Sequence, residues 1–209
     1  MKIERRMQVI IIGITGQSGS GKGNLAHEFE ALGYIHADAD KIYHALLEEN
    51  EELKAALVKE FGEDVRTDGR IDRKKLGAKV FGKKNARKLL KLNKIAHKYV
   101  SKKYIKLIID AKERGEKGII IDAPLLLEAR LDKICDATIA VICGEEIRME
   151  RIMKRDGISE EAARLRLSSQ KPLEFYTCAC DYIFLNDGSE SAADFAALVD
   201  KSFTEATNE

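Results

Sequence analysis

The feature that most constrains this chain is "VIIIGITGQSGSGKGN", running from Val9 to Asn24. Its first residues form a short β-branched run of the kind found in strands buried on both faces. A glycine-rich loop follows at once, with Gly16, Gly21 and Lys22 in the spacing Gly-x-x-x-x-Gly-Lys. From Lys22 the pattern turns helical, with Leu25, Phe29 and Leu32 at steps of four and three, and Gly33 placed to stop the helix. Glycines let a loop wrap closely so that successive N–H groups point into one concavity, and the helix start adds unpaired donors and about half a unit of positive charge. Lys22 then brings a mobile charge suited to β- and γ-phosphates. A glycine-rich turn on a dinucleotide-type sheet would account for the glycines but leave Lys22 without a purpose. We therefore expect Gly16, Gln17, Ser18, Gly19, Ser20, Gly21, Lys22, Gly23 and Asn24 to hold the phosphates of a nucleotide. Gly23 and Asn24 stand where a Ser or Thr hydroxyl often helps hold Mg²⁺. That ion commonly keeps several waters and needs only one or two protein carboxylates besides the substrate phosphates.

The whole chain fits one domain. It has 209 residues, 44% of them hydrophobic, enough to bury a full core. Thirty-six basic and 35 acidic residues leave a net charge of +1, so no global field argues for a nucleic-acid or membrane partner. Cys135, Cys143, Cys178 and Cys180 are too few and too irregular for a disulfide framework, and reduced cytosolic thiols are expected. The apolar run near Val9 is much shorter than the ~20 residues of a spanning helix and ends in no cleavage site, which points to a soluble, cytoplasmic protein.

Further strands are expected at Tyr34 to Ala37, Gly118 to Asp122, Ala137 to Cys143 and Tyr182 to Leu185, separated mostly by helical segments. This alternation predicts an α/β fold with a mostly parallel five-stranded sheet flanked by helices. The core is expected over 7–40, 117–144 and 180–205. Between them, about 41–116 reads as a helical insertion that could wall a cleft, broken near "FGEDVRTDGRID", where Gly62 and Asp68-Gly69 supply turns. Within the insertion Leu89, Leu92, Ala96 and Tyr99 repeat at helical spacing, while Lys84, Lys88, Lys91, Lys94, Lys98 and Lys102 take other faces. Nearby acids balance that stripe, so a solvated face accounts for it better than nucleic-acid binding.

Carboxylates and arginines complete the pattern. "HADAD" puts Asp38 and Asp40 just after the second strand, at the end where ligands bind in open α/β sheets. Such a pair could supply a base for an attacking hydroxyl and an anchor for hydrated Mg²⁺, although an N-cap role would explain one of them. "IIID" ends in Asp122, in the arrangement whose aspartate usually reaches a metal ion or its water. Arg148, Arg151 and Arg155 share one helix face, and Arg164 and Arg166 sit on a second helix. Over about 145–176 these would form a lid whose arginines close on a transferring phosphoryl group, or else a solvated face interleaved with glutamates.

Taken together, "GITGQSGSGKG", "DAD", "DAPLLLE" (Asp122 to Glu128), "RIMKRDG" (Arg151 to Gly157), "RLSSQ" (Arg166 to Gln170) and "NDG" (Asn186 to Gly188) resemble the dephospho-CoA kinases in order and spacing, from about residue 8 to 190. The resemblance implies a P-loop kinase fold and transfer of the γ-phosphoryl of ATP to the ribose 3′-hydroxyl of dephospho-CoA, the last step of coenzyme A synthesis. It implies Asp40 as general base, Lys22 as phosphate lysine and Arg151 or Arg155 as lid arginine. It further implies Asp122 as a metal contact through water, and an acceptor site at Asp38, His97, Pro124, Leu125 and Glu128. ATP, Mg²⁺ and dephospho-CoA are the implied cofactors and partners, with a monomer or weak homo-oligomer acting on them. The chain departs from the family pattern at Gly23-Asn24, at His97-Lys98 where His-Pro is usual, and at Tyr176 where a lysine is usual. A nucleoside or nucleotide kinase of the same fold, or a non-catalytic ATP-binding regulator, are the competing readings.

Overall fold

The computed structural model describes residues 9–206; residues 7 and 8 of the expected core lie outside that range. The first elements are β1 (Ile10–Thr15), α1 (Lys22–Ala31), β2 (Tyr34–Asp38), α2 (Ala39–Glu49) and α3 (Glu51–Phe61). A two-stranded hairpin, β3 (Arg66–Thr67) and β4 (Arg70–Ile71), leads to α4 (Arg73–Val80) and the long α5 (Ala86–Arg114). Then come β5 (Gly118–Asp122), β6 (Ala137–Ile142), α6 (Glu145–Asp156), α7 (Glu160–Ser168), α8 (Leu173–Thr177), β7 (Tyr182–Leu185) and α9 (Ala192–Ala206). The chain forms two compact units, Ala39–Leu107 and the remainder on either side of it.

In the larger unit the five strands run parallel in the order β2-β5-β1-β6-β7. Every residue of β5 is buried, as its unbroken apolar run requires of a strand covered on both faces. Ile12, Ile14, Ile120, Ile139 and Val141 of the central strands pack with Leu25 and Phe29 of α1, Phe184 of β7 and Phe195 and Val199 of α9. The expected strands at Gly118 to Asp122 and Tyr182 to Leu185 are the observed ones, and the second and fourth differ by a residue at one end. At the amino-terminal edge, the Tyr34 hydroxyl donates to Asp200 Oδ1 at 2.8 Å and Lys117 Nζ donates to Asp200 Oδ2 at 2.9 Å, tying α9 to the sheet. Two short helices, α6 and α7, close on each other through Ile152, Ala163 and Leu167. Ser159 starts α7 by accepting from Ala162 N.

The helical unit has its own core of Leu53, Leu57, Val65, Leu76, Leu92 and Tyr99. Its helix starts follow the sequence: Asn50 Oδ1 accepts from Leu53 N at 2.8 Å, and Asp72 Oδ1 accepts from Lys74 N and Lys75 N. Asp68-Gly69 makes the tight turn between β3 and β4, with Asp68 at φ 50°. The lysines at 84, 88, 91, 94, 98 and 102 are exposed, and Lys98 and Lys102 each place Nζ 5.5 Å from the Tyr99 ring. Among the described residues no helix is long and apolar enough to cross a membrane.

Ile120 is fully buried in β5, whereas Leu198 on α9 is 65% exposed. Ile120→Ala should therefore cost about 2–5 kcal/mol in urea denaturation, through lost transfer energy plus the cavity left behind, while Leu198→Ala should stay within about 0.5 kcal/mol. Equal costs at the two positions would refute this assignment of the core.

Candidate active site

The loop between β1 and α1 is shaped by three glycines that no other residue can replace without strain, among them Gly19, at φ 81° with a Cβ that would lie 2.6 Å from the Arg148 carbonyl oxygen. Gly16 has φ 144°, and a Cβ there would lie 2.2 Å from the Val141 carbonyl oxygen. Gly21, just before α1, has φ 91°, and a Cβ there would lie 2.1 Å from Asn186 Nδ2. Gly23 is different, because a Cβ at that position meets nothing within 4 Å. The glycine after Lys22 thus reflects no steric demand of the loop.

A loop that turns its N–H groups inward turns its carbonyls outward, and these need donors. Lys22 Nζ donates to Gly16 O at 3.1 Å and Gln17 O at 3.4 Å. Arg148 Nε donates to Ser18 O at 3.1 Å, and its Nη1 reaches Gln17 Oε1 at 2.7 Å. Arg151 Nη1 reaches Ser20 O at 3.2 Å and Gly19 O at 3.4 Å, while its Nη2 donates to Asn186 O at 3.3 Å. Asn186 Nδ2 donates to Ser20 O at 2.7 Å. Gln170 Oε1 accepts from the Ser18 amide at 2.8 Å, and Gln17 Nε2 donates to Lys171 O at 2.9 Å. Arg148 is only 5% exposed, and burial lowers its pKa with Glu145 opposing. It braces the loop rather than presenting its charge to solvent. Arg155, by contrast, is exposed and forms a two-pronged pair with Asp156 at 2.8 and 2.9 Å, and Arg166 joins the same carboxylate.

Acidic groups meet at the carboxyl ends of β2 and β5. Asp38 and Asp122 are register partners on these neighbouring strands, and Ile14 lies opposite Asp122 on the β1 side. Asp122 is buried. His36, two residues before Asp38 on the same face of β2, brings Nε2 to 3.5 Å from Asp122 Oδ2. One ligand atom from each of His36, Asp38 and Asp122 fits within 4.8 Å of the others. Asp122 chiefly raises the pKa of His36 above its ordinary value, against burial, with help from Glu30 and Asp38. The two carboxylates form a donor set suited to a hard, hydrated cation.

The other expected residues fall in different surroundings. Pro124, Leu125 and Glu128 lie in the turn after β5, and Thr15 Oγ1 donates to Pro124 O at 3.4 Å. Tyr176, which stands where the family pattern has a lysine, is buried in α8 with its ring 5.2 Å from the Phe175 ring. Burial raises its phenol pKa, the Glu128 carboxylate adds to that, and Arg148 opposes. Asp40 is exposed in the first turn of α2, and His97 is half-buried in α5 with its pKa lowered by burial; both belong to the helical unit. Of the expected phosphate-binding residues, Gly16 to Gly21 form the loop between β1 and α1, and Lys22, Gly23 and Asn24 form the first turn of α1. The contacts of Gln170, Asn186 and Arg148 with the loop and of His36 with Asp122 join residues far apart in sequence, so the spacing that put Arg148 on the lid face gave no sign of its bracing role.

The family model described as dephospho-CoA kinase matches residues 10–192. A dephospho-CoA kinase from Carboxydothermus hydrogenoformans is 38% identical over 180 residues, covering 86% of each chain. Among solved structures, TT1252 from Thermus thermophilus superposes with a TM-score of 0.75 at 28% identity, over 93% of this chain and 97% of that one. The dephospho-CoA kinase from Campylobacter jejuni gives a TM-score of 0.65 at 26% identity, over 94% and 98%.

Gly16→Ala should destabilise the protein by about 1–3 kcal/mol, because the strained φ and the clash with backbone cannot relax cheaply. Gly23→Ala should gain roughly 0.5–1 kcal/mol, since its helical backbone suits alanine and the space is open. Thermal and urea denaturation of the two variants, side by side, would reveal a reversed order if the loop were otherwise built.

Proposed function

The chain belongs to the dephospho-CoA kinase family, and from that premise we propose how its residues carry out the transfer of the γ-phosphoryl group of ATP to the ribose 3′-hydroxyl of dephospho-CoA. One observation carries the reading: a lysine-bearing phosphate loop follows β1, and the carboxylates of Asp38 and Asp122 are register partners at the same ends of the sheet. Such an enzyme needs little covalent chemistry of its own and much positioning and charge neutralisation.

The start of α1 and the loop over Gly16 to Asn24 cradle the phosphates, with the Ser18 amide turned instead to Gln170 Oε1 and the Ser20 and Asn24 amides to the Gln17 and Gly21 carbonyls. Lys22 exchanges its contacts with the Gly16 and Gln17 carbonyls for the β- and γ-phosphate oxygens. Arg151, already fixed against the Gly19 and Ser20 carbonyls, supplies positive charge beside the loop. Arg155, the second lid arginine, is exposed and pairs with the Asp156 carboxylate. Asp40, two residues after Asp38, accepts the proton of the 3′-hydroxyl as its oxygen forms a bond to the γ-phosphorus. The bond from that phosphorus to the bridging oxygen breaks, and ADP leaves. The acceptor is assigned to Asp38, Pro124, Leu125, Glu128 and a neutral His97.

Asp38 and Asp122 would hold Mg²⁺ through its water shell, with His36 orienting Asp122. The chemistry that Mg²⁺ contributes in such sites is neutralisation and alignment of the β/γ oxygens. Nothing in this arrangement calls for a hydroxyl at position 23. The enzyme would act in the cytoplasm, as a monomer or weak homo-oligomer, on ATP and dephospho-CoA, and its near-neutral net charge favours neither a nucleic acid nor a membrane as partner.

ADP release measured with dephospho-CoA beside a panel of nucleosides and nucleoside monophosphates should show turnover with dephospho-CoA only. Turnover of a monophosphate with none of dephospho-CoA would overturn the proposal. In the same assay Asp40→Asn should lower kcat at least about a hundredfold while ATP affinity stays nearly unchanged. An unaltered kcat would remove Asp40 from the role of base.

A further inference from the structure

On the surface beside the carboxylate pair, three side chains from two consecutive elements converge: His27 and Glu30 on α1 and His36 on β2. His27 and Glu30 are three apart, so they share a face of the helix. The short turn after α1 then returns the chain along β2 and brings His36 beside them. One ligand atom from each, two imidazole nitrogens and a carboxylate oxygen, fits within 4.8 Å of the others. His27 Nδ1 is in hydrogen-bond contact with Glu30 Oε2, and His36 Nδ1 lies 3.5 Å from the same oxygen. The two imidazole rings stand edge to face, with centroids 5.6 Å apart and planes at 89°.

We propose that His27, Glu30 and His36 form a binding site for a divalent transition metal of the zinc class, separate from the magnesium-type carboxylate pair of Asp38 and Asp122. Two imidazoles and one carboxylate suit a borderline cation, whereas Mg²⁺ prefers oxygen ligands throughout. Tetrahedral zinc, with ligand bonds of about 2.0–2.2 Å, holds neighbouring ligand atoms about 3.3–3.5 Å apart. The observed spacing of Glu30 and His36 already meets this, and His27 must move outward by a small amount from its contact with Glu30. His27 is 63% exposed, so that movement is open to it.

The support behind His36 is the second reason. Its side chain is 4% exposed and cannot swing away, so Nδ1 stays turned to Glu30 while Nε2 faces the Asp122 carboxylate at 3.5 Å. Metal-bound histidines commonly direct their other nitrogen to a carboxylate, which fixes the tautomer and ring orientation. Three protein ligands leave the fourth position for water. His36 thus presents Nδ1 to the surface metal while Nε2 faces Asp122.

Zn²⁺ competition against a chromophoric chelator, with excess Mg²⁺ present to occupy the carboxylate pair, tests the site directly. One equivalent should bind per chain, and His27→Ala and Glu30→Gln should each weaken binding at least about tenfold. Both changes are on the exposed face of α1, and unchanged circular dichroism and ATP turnover would establish that these variants fold. The exposed Cys178 is an alternative zinc ligand, so Cys178→Ser should leave the affinity unchanged, and Co²⁺ should give tetrahedral d–d bands with no thiolate charge-transfer band. Absence of binding, equal affinity in His27→Ala and the wild type, or a thiolate band would overturn the proposal. The first of these outcomes would leave the three residues as a hydrogen-bonded surface cluster only.

Discussion

The outward-facing carbonyls of the phosphate loop are the constraint on which the rest of this structure turns. An anion-binding loop is favourable only when its N–H groups point to the ligand, and that geometry leaves carbonyl oxygens on the other side in need of donors. Here the donors come from far along the chain: Arg148 and Arg151 on α6, and Asn186 after β7. Each of these bonds links segments at least 130 residues apart. The helix called a lid in sequence terms therefore has a second task, because its first turns hold the loop that the same helix is expected to cover. The order β2-β5-β1-β6-β7 makes this possible by keeping β1 between β5 and β6, with the carboxylates of β5 and β2 on one side and α6 leaving β6 on the other.

Much of this was legible in the sequence, for physical reasons that can be named. A parallel sheet covered on both faces demands continuous apolar runs, and Gly118 to Asp122 is such a run. The Gly-x-x-x-x-Gly-Lys spacing is set by local backbone geometry, so it reads directly. Asp38 and Asp122 were also visible, because each ends a strand. What could not be read was any role that depends on a distant partner. Arg148 at the spacing of Arg151 and Arg155 looks like a third lid arginine, yet burial and its contacts with Ser18, Gln17 and Gln170 make it a brace. His36 gave no signal, since its meaning comes from register with β5 and from the helix before it. Two-residue strands such as β3 and β4 are below the length at which periodicity can speak, although Asp68-Gly69 marked their turn.

The departures from the family pattern acquire physical content in the same way. Gly23 sits in open space on a helical backbone, so neither its presence nor its replacement is dictated by packing. Tyr176 is buried, with its phenol near the charges of Glu128 and Arg148, so it contributes packing and a neutral hydroxyl where a lysine would bring charge. Lys98, where proline is usual, is exposed with its Nζ 5.5 Å from the Tyr99 ring, and His97 before it, which keeps the family residue, is held toward its neutral form by burial.

Phosphorus NMR of the product formed from ATP and dephospho-CoA tests the central claim most directly, because it reads both the occurrence and the position of transfer. The account predicts ADP together with a new monophosphate resonance on the ribose 3′-oxygen, in equal amounts. ATP that binds without any such resonance, or a phosphoryl group found elsewhere on the acceptor, would contradict it.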